Sequence, residues 1–177
     1  GVTRRFFERD GRFFVNTDGP DGRLADYEVK YTFGVEPLQQ YLVELPGGRM
    51  QALSVAWDTK AKRWFHTYPG ERIDHRDVLH WTRTSQNWNT MCASCHALQV
   101  RKNYDAAADA YRTTFAAVGV GCQSCHGPAS GHVAWAQGGK RGDVPRRGFD
   151  AAVGAGSGRV QVDACAYCHA LRSTLTP

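Results

Sequence analysis

One five-residue pattern, Cys-x-x-Cys-His, occurs three times in this chain and constrains it more than any other feature. The copies are Cys92-Ala93-Ser94-Cys95-His96, Cys122-Gln123-Ser124-Cys125-His126 and Cys165-Ala166-Tyr167-Cys168-His169. Together they use all six cysteines and leave none over. Two thiols at this spacing can each form a thioether to one vinyl group of a haem. The next residue then sits over the ring, so that its imidazole reaches the iron as proximal ligand. Covalent attachment also holds a haem where little protein surrounds it.

Other uses of paired cysteines fit less well. A zinc ribbon takes two pairs per metal, which would leave one pair unmatched, and does not require a histidine directly after each. Thioredoxin-like redox pairs have no use for the histidine. A disulfide framework explains an even count but not a repeated spacing. The expectation is therefore three covalently bound haem c groups, on Cys92, Cys95 and His96, on Cys122, Cys125 and His126, and on Cys165, Cys168 and His169. Attachment of this kind belongs to an oxidising compartment, so the chain is expected in the periplasm or outside the cell.

Composition agrees. The chain has 177 residues, enough for one or two domains, but only 42% are hydrophobic, and the mean hydropathy is −0.48. Haems are large, flat and apolar, and three of them would supply buried surface that the side chains lack. No apolar run approaches the length of a membrane helix. The formal charge of +5 does not point to nucleic acid: the basic residues mostly alternate with acids, no recognised binding motif accompanies them, and haem propionates would offset the excess.

Along the chain the expectation is α+β, a small antiparallel sheet followed by an irregular and helical haem-packed region. Arg5–Arg9 and Arg12–Val15 flank Asp10-Gly11, a hairpin signal. A second turn cluster, Asp18 to Gly22, precedes Tyr27–Phe33, whose alternation predicts a half-buried strand. Gln40–Leu45 and Met50–Trp57 pair around Pro46-Gly47-Gly48, and Lys62–Thr67 adds an edge strand. From Pro69 histidines, tryptophans and cysteines replace this regularity, so residues 1–68 read as the β-rich part and 69–177 as the haem part, integrated as one domain. Asn103–Val118 suits either helix or strand, and Gly138–Arg159 reads as a long surface loop. Neither end looks natural: no signal peptide precedes Gly1-Val2 and no terminal helix follows, as in a processed or partial chain.

What fills the second axial position of each iron separates a carrier from an enzyme. Beyond the proximal ligands His96, His126 and His169, four histidines remain: His66, His75, His80 and His132. His132 follows a Gly-Pro turn that prevents it from doubling back to its own iron, and it is favoured as the ligand of a neighbouring one. His80, ahead of the first motif, is favoured equally. His75, between Asp74 and Asp77, reads as either ligand or salt-bridged surface residue. His66, at a strand end, reads as structural or pocket-lining before it reads as a ligand. Met91 is too close to Cys92 to reach round its own haem, and Met50 suits a core. Trp81, Trp88, Trp135 and Tyr167 are expected against porphyrin or in the core.

These residues carry a resemblance. The stretches Phe33-Gly34-Val35-Glu36-Pro37-Leu38-Gln39-Gln40-Tyr41, Trp64-Phe65-His66, His80-Trp81 and Asn87-Trp88-Asn89-Thr90-Met91-Cys92 carry it, with Cys122–His126, Gly127-Pro128 and His132. They make the chain similar to the haem domain of multihaem cytochromes that often carry tetratricopeptide repeats. That group is related in motif to the tetrahaem cytochromes of hydroxylamine oxidation. Such domains usually have another haem motif upstream, and the surplus histidine could have served it.

The resemblance implies electron transfer between redox partner proteins; a third reading, compatible with carrier or enzyme, makes the sheet half a docking module for a larger redox complex or a filament contact. It also extends to enzymes such as cytochrome c nitrite reductase, so fold kinship leaves activity open. The alternative is therefore an enzyme with one open, five-coordinate haem acting on a small nitrogen or sulfur compound. Arg72, Arg76, Arg83, His75 and His66 could line its pocket.

Overall fold

The computed structural model describes residues 2–150, 153–154 and 157–170. They divide into two compact units, one running to Val118 and one beginning at Gly119.

The first unit is built on an antiparallel sheet. Strands β1 (Arg5–Arg9) and β2 (Arg12–Asp18) form the expected hairpin, with Phe6 opposite Val15 and Arg9 opposite Arg12. Asp10 and Gly11 both have positive φ, 53° and 71°, as the tight turn that matches strand twist requires. There follow β3 (Leu24–Phe33), β4 (Leu38–Leu45), β5 (Arg49–Ala52), β6 (Val55–Asp58) and β7 (Arg63–His66). The spatial order is β1-β2-β3-β4-β6-β7, with β5 also paired to β4. The sheet curls until Phe6 of β1 stacks on Trp64 of β7, ring centroids 4.4 Å apart.

Two strands differ in detail from the sequence pattern. Met50–Trp57 is two strands, because β5 pairs with Leu42–Leu45 and β6 with Leu38-Gln39 of the same β4; buried Leu53 and Ser54 make the step between them. In β3 the register shifts between Val29 and Tyr31. Lys30 is the extra residue of a bulge, so Val29 and Tyr31 no longer share a face, and Tyr31 is 43% exposed while Phe33 is 8%.

Both faces of the sheet are covered, as β4 makes plain. Val43 packs with Val15, Leu53 and Trp81. Its neighbour Leu42 points the other way, into Phe33, Met50, Ala52, Trp88, Ala93 and Ala97. Each such fully buried side chain contributes roughly 1.5–3 kcal/mol. Met50 is thus a core residue, and Trp81 and Trp88, both fully buried, are core residues too. Short helices α1 (Trp88–Met91) and α2 (Ala93–His96) cover the second face. Between Ala97 and Val118 lie four two-residue strands, three of them within the ambiguous region Asn103–Val118. These are β8 (Ala97-Leu98), β9 (Tyr104-Asp105), β10 (Ala110-Tyr111) and β11 (Ala117-Val118), paired as β9 with β10 and β8 with β11.

The second unit holds α3 (Cys122–His126), α4 (Ser130–Gln137), a 3-10 turn at Pro145–Gly148 and α5 (Gly158–His169). None of its described residues is buried. The expected loop from Gly138 therefore contains one short turn and gives way to helix at Gly158, with 151–152 and 155–156 outside the described residues. A sheet followed by short helices makes the fold α+β. Among the described residues no helix is long and apolar enough to cross a membrane.

Candidate haem-attachment sites

The first motif is placed by a polar network that ties the sheet to the chain ahead of it. Gln51 of β5 donates its side-chain amide to the carbonyls of Trp81 and Arg83, both at 2.9 Å, and accepts from Asn87 at 3.0 Å. Asn89 accepts the backbone N–H of Met50 at 2.8 Å and donates to Thr113 Oγ1 at 2.8 Å. Asn87 caps α1 by accepting from the N–H and hydroxyl of Thr90, a bond typically worth about 1 kcal/mol. Buried polar groups of this kind hold only when every partner is present. The stretch from Asn87 to Cys92 is accordingly bonded to β5 before the motif begins.

All three pentapeptides are helical or begin at a helix N-cap. Cys92 is the N-cap of α2, Cys122 opens α3, and Cys165–His169 forms the last turn of α5. On a helix, positions i, i+3 and i+4 share one face, so each motif presents two sulfurs and an imidazole on one side. Cys122, Cys125 and Cys165 are exposed, and Cys92, Cys95 and Cys168 are half-buried. His96 and His169 are exposed and His126 half-buried.

The surroundings fit a haem. Cysteine is among the most buried residue types, yet here three thiols face outward beside exposed apolar side chains. In the second unit Val120 is 65%, Val162 66% and Tyr167 50% exposed, apolar surface suited to a porphyrin face. Burial, with Cys95 nearby, pushes the Cys92 thiol up to about 11, which disfavours a thiolate. Among the described residues the indole N–H groups of Trp88 and Trp135 are buried without an acceptor. Trp88 lies four residues before Cys92, and a propionate oxygen is an acceptor of the right chemistry.

The remaining histidines differ sharply. His80 is buried: Nε2 faces Asp18 Oδ2 at 3.0 Å and Nδ1 faces Thr82 Oγ1 at 2.8 Å. Both ring nitrogens thus have polar partners within the protein. Asp18 also accepts from Thr17 at 2.9 Å and pairs with Arg4 at 3.5 Å. Burial pushes the Asp18 carboxyl up, but the bonds from His80 and Thr17 and the Arg4 charge outweigh it and bring it to about 2. Trp81 completes the knot by donating its indole N–H to the Asp18 carbonyl at 2.7 Å. Sequence reading missed Arg4 and Asp18, and no motif could have supplied them.

Among the described residues His66 bonds through Nδ1 alone, to the backbone of Tyr68, and burial, then Arg4, draws its pKa down. It shares a cavity of about 570 Å³ with Arg72, Arg4, Glu71 and Asp74. Two of the five residues considered for a pocket thus come together there, while His75, Arg76 and Arg83 are not among its walls. Nor is any residue of a Cys-x-x-Cys-His motif. His75 is half-buried with its ring against Gly22, and its carbonyl accepts from Arg83 at 2.7 Å. Met91 is 59% exposed.

In the second unit His132, the third residue of α4, sets Nδ1 2.9 Å from the carbonyl oxygen of Arg147. Its ring stacks on Phe149 at 3.9 Å, and Phe149 lies 5.0 Å from the ring of the proximal candidate His126.

Residues 55–127 match the family described as cytochrome c554 and c-prime. That match supports a c-type cytochrome. It implies covalently bound haem c and a haem-based electron-transfer function. It spans the first two motifs and ends before His132 and the third. No curated protein and no solved structure matches the chain.

Proposed function

We propose that this c-type cytochrome carries electrons between redox partner proteins through three covalently bound haem c groups, in the periplasm or outside the cell. The observation that carries the reading is the second unit. It offers two Cys-x-x-Cys-His helices and exposed apolar side chains, and none of its described residues is buried. Haem, when bound, supplies reversible one-electron exchange at iron. The chain's own part is to hold and orient. Cys92 with Cys95, Cys122 with Cys125 and Cys165 with Cys168 anchor by thioether, and His96, His126 and His169 supply the proximal nitrogen. His132 is the distal ligand we favour, followed by His66 and His75, whose Nε2 atoms make no bond within the described residues. Kinship to the tetrahaem cytochromes of hydroxylamine oxidation rests on the shared Cys-His-Gly-Pro element and the stretch around Trp88.

Intact mass and a haem assay per chain test the count: three supports the reading and fewer overturns it. Visible spectra of the oxidised and reduced protein with carbon monoxide test the role. Low-spin bands that ignore carbon monoxide support a carrier. A high-spin component that shifts on binding supports the second reading, an enzyme with one open haem, for which the cavity joining His66 and Arg72 is the motivating feature.

A further inference from the structure

Between α4 and α5 the backbone takes an uncommon course. Arg146 and Arg147 have φ of 51° and 54°, and Gly148 follows at 81°. Two successive non-glycine residues in the left-handed region are unfavourable and persist only where surrounding contacts hold them. Here the contacts converge on His132. Arg147 turns its carbonyl oxygen to His132 Nδ1 at 2.9 Å. Gly148 lies against Gly131 so closely that a Cβ on it would come within 2.6 Å of the His132 backbone nitrogen. Phe149 then stacks on the imidazole at 18°, its carbonyl held by Arg146 Nε at 3.1 Å, while Trp135 lies 5.5 Å from the same ring.

A carbonyl oxygen only accepts, so Nδ1 of His132 carries the proton, and the lone pair of the neutral ring is on Nε2. His80 is the contrast, with both nitrogens spent inside the protein.

We propose that the left-handed turn Arg146-Arg147-Gly148 is a positioning element that fixes the tautomer and plane of His132 for an iron and lowers that iron's reduction potential. The proposal rests on the reading of His132 as a distal ligand. A carbonyl accepting the Nδ1 proton makes an imidazole more basic, and a more basic ligand favours the ferric state. The Arg146 and Arg147 side chains are secondary, since the bond is made by the main chain.

The test is spectroelectrochemistry of the holoprotein, resolving each haem's midpoint. Gly148→Ala and Gly131→Ala each push Cβ into the Gly131–Gly148 contact, the second with a Cβ 2.8 Å from the Gly148 oxygen. Gly142→Ala is the control, a left-handed glycine of the same loop with nothing within 4 Å. In both contact variants one midpoint rises while the others hold, and the control keeps wild-type values. If Gly148→Ala does not mature, Gly131→Ala alone decides. A His132→Ala protein in which no haem becomes open to carbon monoxide overturns the ligand reading, and the inference with it. If that variant does open a haem but the contact variants keep wild-type potentials, the inference alone fails.

Discussion

Up to Val118 the protein covers both faces of a sheet with its own side chains, and Leu42 and Val43, neighbours on β4, are each buried on opposite sides. From Gly119 onward four helical elements carry no buried described residue and leave valines and a tyrosine open. The two units are about equally rich in hydrophobic residues, so the difference lies in burial. The sheet unit has an ordinary core, and the lack of burial falls where two of the three Cys-x-x-Cys-His motifs are. A segment with so little apolar burial cannot offset its conformational entropy unaided, and on the proposed reading attached haem would be its core.

That contrast can be broken most decisively by denying the second unit its haems. With Cys122, Cys125, Cys165 and Cys168 all changed to Ser, hydrogen exchange is expected to show amide protection abolished beyond Gly119 while β1–β7 keep theirs. Protection retained in α4 would show that the unit stands alone.

The converse cut is Trp88→Ala, which empties the core beneath the first motif. A loss of about 3–5 kcal/mol is expected in urea unfolding of the sheet unit, with haem still found on Cys122 and Cys165 by peptide mass. A loss under about 1 kcal/mol would mean that haem, not Trp88, supports this region as well.

A subtler probe is pH, because the sheet unit buries a charge, whereas no described residue of the helical unit is buried. The Asp18 carboxyl is held down at about 2 in the folded state. Its stabilising contribution is full above the ordinary carboxylate range and is lost as pH falls from about 4 through about 2, on the order of 1–2 kcal/mol. Asp18→Asn should flatten that acid limb of the urea midpoint. An unchanged limb would place the acid sensitivity elsewhere.

The smallest effect is expected from Glu36→Gln, which breaks an exposed pair with Lys60 at 2.9 Å. Screened pairs of this kind contribute little, and the urea midpoint should stay where it is.

What could be read in the sequence follows the range of the interactions involved. The hairpin at Asp10-Gly11 was legible because the turn is decided by two residues and their φ. The c-type cytochrome class was legible because covalent haem attachment fixes the spacing of its cysteines and histidine. The bulge at Lys30 was not, since it exists only in the pairing of β3 with β4. The partner of His80 was not legible either, because the carboxylate that engages it, Asp18, is 62 residues away. The change of pattern at Pro69 marks where the sheet ends, while the packed unit runs on to Val118 through contacts around Trp88. The turn at Arg147 read as loop, and its grip on His132 uses a carbonyl that every residue carries.

The stack of Phe6 on Trp64 has a consequence for a chain that must wait for its cofactors. Strands β1 and β7 each pair on one side only, and an open strand edge is a template for a second molecule. By curling until these two strands meet through their rings, the sheet sets its two open edges side by side and leaves less room for another strand between them. An exported chain with its thiols still vacant can thus linger near its copies without zipping into them.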